Sequence, residues 1–253
     1  MDIFAFIQAK LRIDDVEPMY TAIMRSKLPL RIRQRLCFAE GLADHLGLAA
    51  RMAEAEDFWG AAHAYVAQGQ RGGARRHFRG AVAVEALRTM QRRFPDLSEF
   101  FRGMPGDFFE ARRYIMDLPQ FGPFSAFKIA DMAERTCGVK VDFSKVGLKD
   151  FSKFPQRGAD LATKYGGLTF QQKLRYTAIP ARLYDDLLNF RWVTKAPPLF
   201  DRPLNAQELE TMFCNYGHSK WHEPGYETRE LGKLLDGYGK LATKIKNNLG
   251  GAK

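Results

Sequence analysis

The sequence predicts an all-α fold, and three observations carry that prediction. Apolar residues recur at helical spacing along most of the 253-residue chain. The best alternating stretch, VKVDF at 139–143, is too short to found a sheet. Pro29, the Gly72-Gly73 pair and Pro95 stand where helices should stop.

The elements follow in order. Ile3, Phe6, Ile7 and Leu11 mark a first amphipathic helix, and Val16 to Met24 a second that ends near Pro29. Arg31 to Leu48 places Ile32, Leu36, Ala39, Leu42, Ala43 and Leu46 on one face, with Gly47 as the expected stop. The helical pattern continues from Ala49 to Gln68, breaks at Gly72-Gly73, and resumes from Ala74 to Phe94. Segments 96–102 and 107–118 are short helices around a Gly103–Gly106 turn. A helix, a tight hairpin and a helix occupy 110–137, and a loop follows over 138–158. Further helices are expected at 158–165, 169–176 and 180–190. After the loop KAPPLF comes a helix from Asn205 to Tyr216, where Asn205 and Glu208 have capping-box spacing. The expected organisation is one two-lobed helical domain over 1–239 with a cleft between the lobes. A flexible basic tail follows at 240–253.

Composition narrows the function. Hydrophobic residues make up 45%, enough for a packed core. Lys plus Arg number 39 against 29 for Asp plus Glu, a net charge of +10, and the pI is near 9.6. That balance favours a polyanionic partner, with nucleic acid first. Seven arginines, Arg75, Arg76 and Arg79 among them, stand against one acid, Glu85, within 71–93. Arg25, Lys27, Arg31, Arg33 and Arg35 form a second basic cluster. Both clusters suit phosphate oxygens, and both also suit a solvated helix face. No apolar run is long enough to span a membrane, and the first residues lack the parts of a secretory signal. Cys37, Cys137 and Cys214 are far apart, which fits a reducing cytoplasm rather than a disulfide framework. No HExxH, Cys/His cluster, phosphate loop or complete dinucleotide fingerprint occurs, so no metal site is expected. His218 and His222 are four apart but are followed at once by Pro224 and Gly225, so they fall in a loop.

The stretch with chemical content is Tyr114 to Ser144. An apolar helix end (Ile115, Leu118) meets Pro119, Gln120, Phe121, Gly122 and Pro123, and a helix begins near Phe124 or Ser125. A tight turn there leaves backbone N–H groups at the positive end of the second helix, an anion site that needs no basic side chain. Phe121 can pack the hairpin or wedge toward a groove.

The hairpin resembles the helix-hairpin-helix of the DNA glycosylase superfamily, LPGxG followed by a small residue and Ala. In that family a catalytic Asp follows after one helix in a Val-Asp context, and here Asp142 lies 24 residues after Leu118. Gln120 stands where the family has its first Gly, and Phe124 where lyase-type members have a nucleophilic Lys, so a Schiff-base lyase is disfavoured. A narrower resemblance takes in Phe121 to Phe124, Ala126, Ile129, Asp142 to Ser144, Arg202 to Leu204, Glu208, Glu210, Thr211 and Cys214. Across about 110–230 the chain is similar to the alpha-glutamyl/putrescinyl thymine pyrophosphorylase group. These are the phage amino acid:DNA transferases, related to a helical domain of hydroxymethyluracil DNA kinases.

The resemblance implies a transferase that replaces the pyrophosphate of 5-pyrophosphoryloxymethyl-deoxyuridine in DNA with an amino acid or polyamine. It implies DNA and a small amine as substrates, a DNA kinase as a pathway partner, and the host cytoplasm if phage-encoded. Asp142 is the catalytic candidate, as base for the amine or as support for a cationic methylene. Lys128, Arg202 and Lys220 are candidates for the pyrophosphate. Gln120, Phe121, Gly122, Phe124, Arg75, Arg76 and Arg79 are candidates for DNA. Ser144, Glu210, Cys214 and Trp221 are further pocket candidates. No cofactor is expected; a divalent ion could assist, but no ligand set is visible.

Plainer readings stand beside these. Asp142 can cap a helix starting at Phe143 or Ser144. Lys128 can be a solvated helix position, and Asp131 with Arg135 a surface pair. Cys214 can be core, and Trp59, Trp192 and Trp221 packing rather than stacking platforms, with Trp221 the most open to stacking. The rival functions are a helix-hairpin-helix glycosylase excising a modified base, and a non-catalytic DNA-binding module of a base-modification system.

Overall fold

The computed structural model describes residues 1–12, 16–68, 78, 80–178, 193–194, 202–203, 206–218 and 222–250. The chain is all-α. Its one ladder among the described residues pairs Val193 with Pro203 and Thr194 with Arg202, antiparallel. It divides into two compact units. One holds residues 1–21, 142–230 and 249–253; the other holds 22–141 and 231–248.

The second unit is built on α3 (Leu30–Ala43) and α9 (Pro123–Cys137), which pack directly. Gly41 permits the approach, since a Cβ there would fall 2.5 Å from Ile129 Cδ1. Around them lie α4 (Leu46–Glu54), α5 (Phe58–Ala67), α6 (Gly80–Arg93), α7 (Leu97–Arg102) and α8 (Phe108–Met116). Phe38 is the aromatic hub. Its ring meets Phe58, Trp59, Phe100 and Phe121 edge-on at 6.3, 5.6, 5.4 and 5.8 Å. Trp59 is core, its indole N–H donating to the Pro95 carbonyl at 3.3 Å.

Aspartates set several boundaries that apolar periodicity alone misplaces. Asp57, Asp96 and Asp107 cap α5, α7 and α8, each accepting first-turn N–H groups. The helix expected from Ala49 to Gln68 is therefore two, broken at 55–57. The stop expected at Gly47 falls earlier. Asp44 closes α3 in the left-handed region at φ 49°, and His45 caps α4 by accepting from Leu48 N–H at 3.3 Å. Gly47 is helical, and its missing Cβ makes room for Tyr238, whose Cδ2 would lie 2.4 Å away. Asp131 and Arg135, expected on the surface, are buried in α9 and bonded at 2.8 Å.

The tail also departs from expectation. Residues 240–246 form α15 (Lys240–Lys246), with Leu241, Ala242 and Ile245 buried against α4. Three apolar residues at helical spacing dock it, and the surrounding lysines had masked that pattern.

The first unit centres on α11 (Lys153–Tyr165) against α13 (Ala206–Tyr216). The contact is backbone-close: a Cβ on Gly158 would sit 1.7 Å from the Phe213 carbonyl oxygen. α1 (Ile3–Arg12), the first half of α2 (Pro18–Arg25), α10 (Leu148–Phe151), α12 (Phe170–Ala178) and most of α14 (Tyr226–Leu234) complete it. The loop expected over 138–158 thus already contains α10 and the start of α11. Ser152 caps α11, accepting from Phe154 N–H. Phe6, Tyr216 and His222 form an aromatic cluster, with the Tyr216 and His222 rings stacked at 4.9 Å. The proposed helix at 180–190 and the Asn205 cap lie outside the described residues.

Candidate functional site

The turn at 117–122 joins α8 to α9, and its geometry follows from its sequence. Asp117 ends α8, donating its N–H to Arg113 O at 3.0 Å, and Arg93 pairs with its carboxylate at 2.6 Å. Phe121 N–H then donates to Leu118 O at 3.2 Å, closing a four-residue turn. Pro119 and Gln120 are its central residues, and Gln120 takes φ 69°. A positive φ at the third position is the mark of a type II turn, which favours Gly there. Gln120 therefore holds the backbone shape of a glycine without being one.

Phe121 resolves the two options the sequence left open. It is buried, packed on Phe38 and stacked on Phe78 at 6.2 Å. It anchors the turn to the core and is not the wedge. Gly122 is the N-cap of α9, offers no side-chain cap, and is followed by Pro123 at N1. A Cβ on Gly122 would meet nothing within 4 Å, so the space over this corner is open. Gln120 is exposed and Phe124 is 39% exposed, flanking that space. Lys128, half-buried one turn on, carries its ammonium 5.8 Å from the Phe124 ring, at the turn-facing end of α9.

Asp142 begins the first unit's long segment, exposed between buried Val141 and Phe143. The Ser144 side chain and backbone N–H, the latter at 2.8 Å, hold its carboxyl below the usual carboxylate range. Burial opposes this in part, and Lys145 adds a lesser lowering. The residue caps a turn rather than a helix, with Val146 N–H on Phe143 O at 3.0 Å. The capping role and an ionised, outward carboxylate coexist.

Glu210 is buried and Cys214 half-buried on α13. They sit in polar company that the sequence did not announce. Thr211 donates to Glu17, Asn215 donates to Glu227 at 2.7 Å, and buried Lys10 lies 3.8 Å from the same Glu227 carboxylate. Glu208 is fully buried on this helix too. Glu17 with Thr211, and Lys10 with Glu227, are nearly the length of the chain apart, so no motif could signal them. Arg75, Arg76, Arg79, Lys220 and Trp221 lie outside the described residues, as does the side chain of Arg202. Of the other basic residues, Arg88 and Arg92 both pair with Glu85 at 3.3 Å. Arg33 and Arg35 donate to the carbonyls of Thr136 and Ala55, closing the ends of α9 and α4. No group of three His, Cys, Asp or Glu side chains among the described residues is placed to hold a metal ion. No described helix is long and apolar enough to cross a membrane.

The helical chain thus exposes a glycine corner and, further along, an aspartate whose carboxyl is held low. The profile of the amino acid:DNA transferase family matches residues 8–223, which includes both features. The chain belongs to that family. It is 28% identical over 244 residues to a glycinyltransferase of Pseudomonas phage PaMx11, covering 83% of this chain and 81% of that protein. It is 25% identical over 248 residues to a putrescinyltransferase of Delftia phage PhiW-14, covering 93% and 78%.

Proposed function

We propose that this protein displaces pyrophosphate from a 5-pyrophosphoryloxymethyl-uracil base in DNA with the nitrogen of an amino acid or polyamine. The observation that carries this reading is the family match spanning the turn and Asp142 together. In the reaction the exocyclic methylene carbon loses its bond to oxygen, and the electron pair leaves with pyrophosphate. A bond from nitrogen to that carbon forms, and the new ammonium gives up one proton.

The groups present divide the work. The Gly122 corner takes a DNA phosphate on the N-terminal turn of α9, with Lys128 beside it. The base is presented outside the stack, because the reacting carbon must be reached from the side. Asp142 stays ionised and is a weak base, since its carboxyl is held low. An α-amino group with a pKa of about 7.7–8.0 has a substantial neutral fraction without help. Asp142 therefore serves by stabilising positive charge on the methylene carbon or the attacking nitrogen, more than by removing a proton. The carboxylates along and against α13, buried Glu17, Glu208 and Glu210 and half-buried Glu227, suit a cationic co-substrate. A DNA kinase acting earlier would supply the pyrophosphate, and both would work in the host cytoplasm.

The test is mass spectrometry of nucleosides from hydroxymethyluracil DNA that a DNA kinase has pyrophosphorylated in place. The DNA is incubated with the protein and a pool of amino acids and polyamines. An aminomethyl-type nucleoside with release of pyrophosphate is expected. Abasic sites would instead mean base excision, and unchanged nucleoside would leave a binding module.

A further inference from the structure

Two cavities of about 550 and 630 Å³ open side by side in the second unit and share Arg31, Gln34 and Ser98. They differ in charge. The smaller is lined by Glu56, Asp57 and Asp96 as well as by Arg31 and Arg35. Among the described residues, the larger has no acid in its lining and three cations: Arg31 from α3, Arg102 from the end of α7, and Lys140 from the segment after α9. All three are exposed at its rim. Its floor is apolar, with Phe101 and Met104 buried, and the buried Gln34 amide also lines it.

We propose that this cavity holds the pyrophosphate-bearing pyrimidine of the substrate, the three cations gripping the pyrophosphate and the apolar floor receiving the ring. The inference rests on the transferase reading above and adds a place for its leaving group. Its volume lies within the range of small-ligand pockets, about 300–1,000 Å³. Two arginine forks and an ammonium match a multiply charged oxyanion. The C-terminal end of α9, lined here by Cys137 and Gly138, would oppose an anion through its carbonyls. Arg33 donates to the Thr136 carbonyl and offsets that. Asp96, the nearby acid, accepts from Ser98 N–H at 3.0 Å and Ser98 hydroxyl at 2.6 Å, and its charge also acts on Arg102 and Arg31; the Ser98 hydroxyl in turn accepts from Arg102 at 3.3 Å, so a bound pyrophosphate competes with these contacts. A concave site with an apolar floor suits a base carrying its pyrophosphate better than it suits the DNA backbone. Lys140 is also two residues before Asp142 in the chain.

Titration calorimetry of the full chain with inorganic pyrophosphate tests this. The R31Q/R102Q/K140Q variant should bind pyrophosphate at least tenfold more weakly than wild type. An R88Q/R92Q control, which removes two exposed charges from α6, should be unchanged. On pyrophosphorylated DNA the triple variant should show a raised KM and relief of product inhibition by pyrophosphate, with affinity for unmodified DNA held within twofold. Unchanged pyrophosphate affinity in the triple variant would overturn the proposal. So would a parallel loss of affinity for unmodified DNA, which would put these cations on the backbone. A wild type that binds pyrophosphate through these three residues yet never releases it from DNA would remove the transferase reading and keep the anion pocket.

Discussion

Asp142 owes its charge state to its neighbours. Because Ser144 and Lys145 hold its carboxyl low, the group is an anion throughout the neutral range and well into acid. Asp142→Asn removes that charge while keeping the shape and the contact to Ser144 N–H. Turnover should fall by at least a hundredfold at pH 7 with DNA affinity unchanged, read by steady-state kinetics and a filter-binding titration. The pH sign follows. A depressed carboxyl contributes stability above its unfolded pKa of about 3.9 and loses it as pH falls through the folded value. Any stability gap between wild type and variant should thus be present at pH 7 and close in acid, as urea midpoints would show. Gln120 offers a second test. A non-glycine residue in the left-handed region costs about 1–2 kcal/mol, partly offset by the freedom Gly adds to the unfolded chain. Gln120→Gly should then gain about 0.5–1 kcal/mol in denaturant unfolding and leave DNA affinity intact. Gly122 differs, since its φ of −104° is ordinary and a Cβ there strikes nothing. Gly122→Ala should fold as wild type but lose DNA affinity severalfold, because the methyl group occupies the space a phosphate would enter. Equal affinity for both proteins would remove the corner from the DNA contact.

At the scale of elements, α9 carries the heaviest demand, since it presents the corner at one end and meets the basic cavity at the other. Its internal brace is the Asp131–Arg135 pair, both side chains almost fully buried and 2.8 Å apart. Breaking such a pair from one side strands a charge, at about 3–5 kcal/mol. Asp131→Asn should therefore cost several kcal/mol in urea unfolding, whereas D131L/R135M, which removes both charges, should recover most of it. A surface pair would lose no more than about 1 kcal/mol in either variant. This pair also shows what sequence conceals. The i, i+4 spacing of Asp131 and Arg135 was legible, but their burial depends on tertiary packing, with α3 against α9 and Cys37 close to Asp131. Helix class was legible because periodicity is local. The break between α3 and α4 was not, because Asp44 and His45 act there through φ and a ring nitrogen while the conspicuous Gly47 serves Tyr238. The turn could be read because Pro119, Gly122 and Pro123 interrupt the helical pattern locally. Glu17 with Thr211, and Arg31 with Arg102 and Lys140, could not, since only the fold assembles them.

For the whole molecule the decisive quantity is the net charge of +10, which the structure distributes unevenly in effect. Arg33 and Arg35 are committed to helix carbonyls, and Arg88, Arg92 and Arg93 face carboxylates. The number of basic residues therefore overstates the contacts DNA can make, and a count of phosphate contacts must come from salt dependence. Each neutralised phosphate of duplex DNA contributes a slope of about −0.9 to log K against log salt, so roughly six contacts would weaken binding about a thousandfold between 50 and 200 mM. Unmodified and pyrophosphorylated DNA should give the same slope at the backbone, plus one added increment for the modified DNA if cations grip its pyrophosphate. Asp142→Asn should leave the slope alone, since it removes an anion and no cation. Fluorescence anisotropy across a salt series on both DNAs measures all three quantities. A slope near zero on both would mean that the positive charge is spent on internal contacts and solubility, and that the protein does not hold its DNA by the backbone.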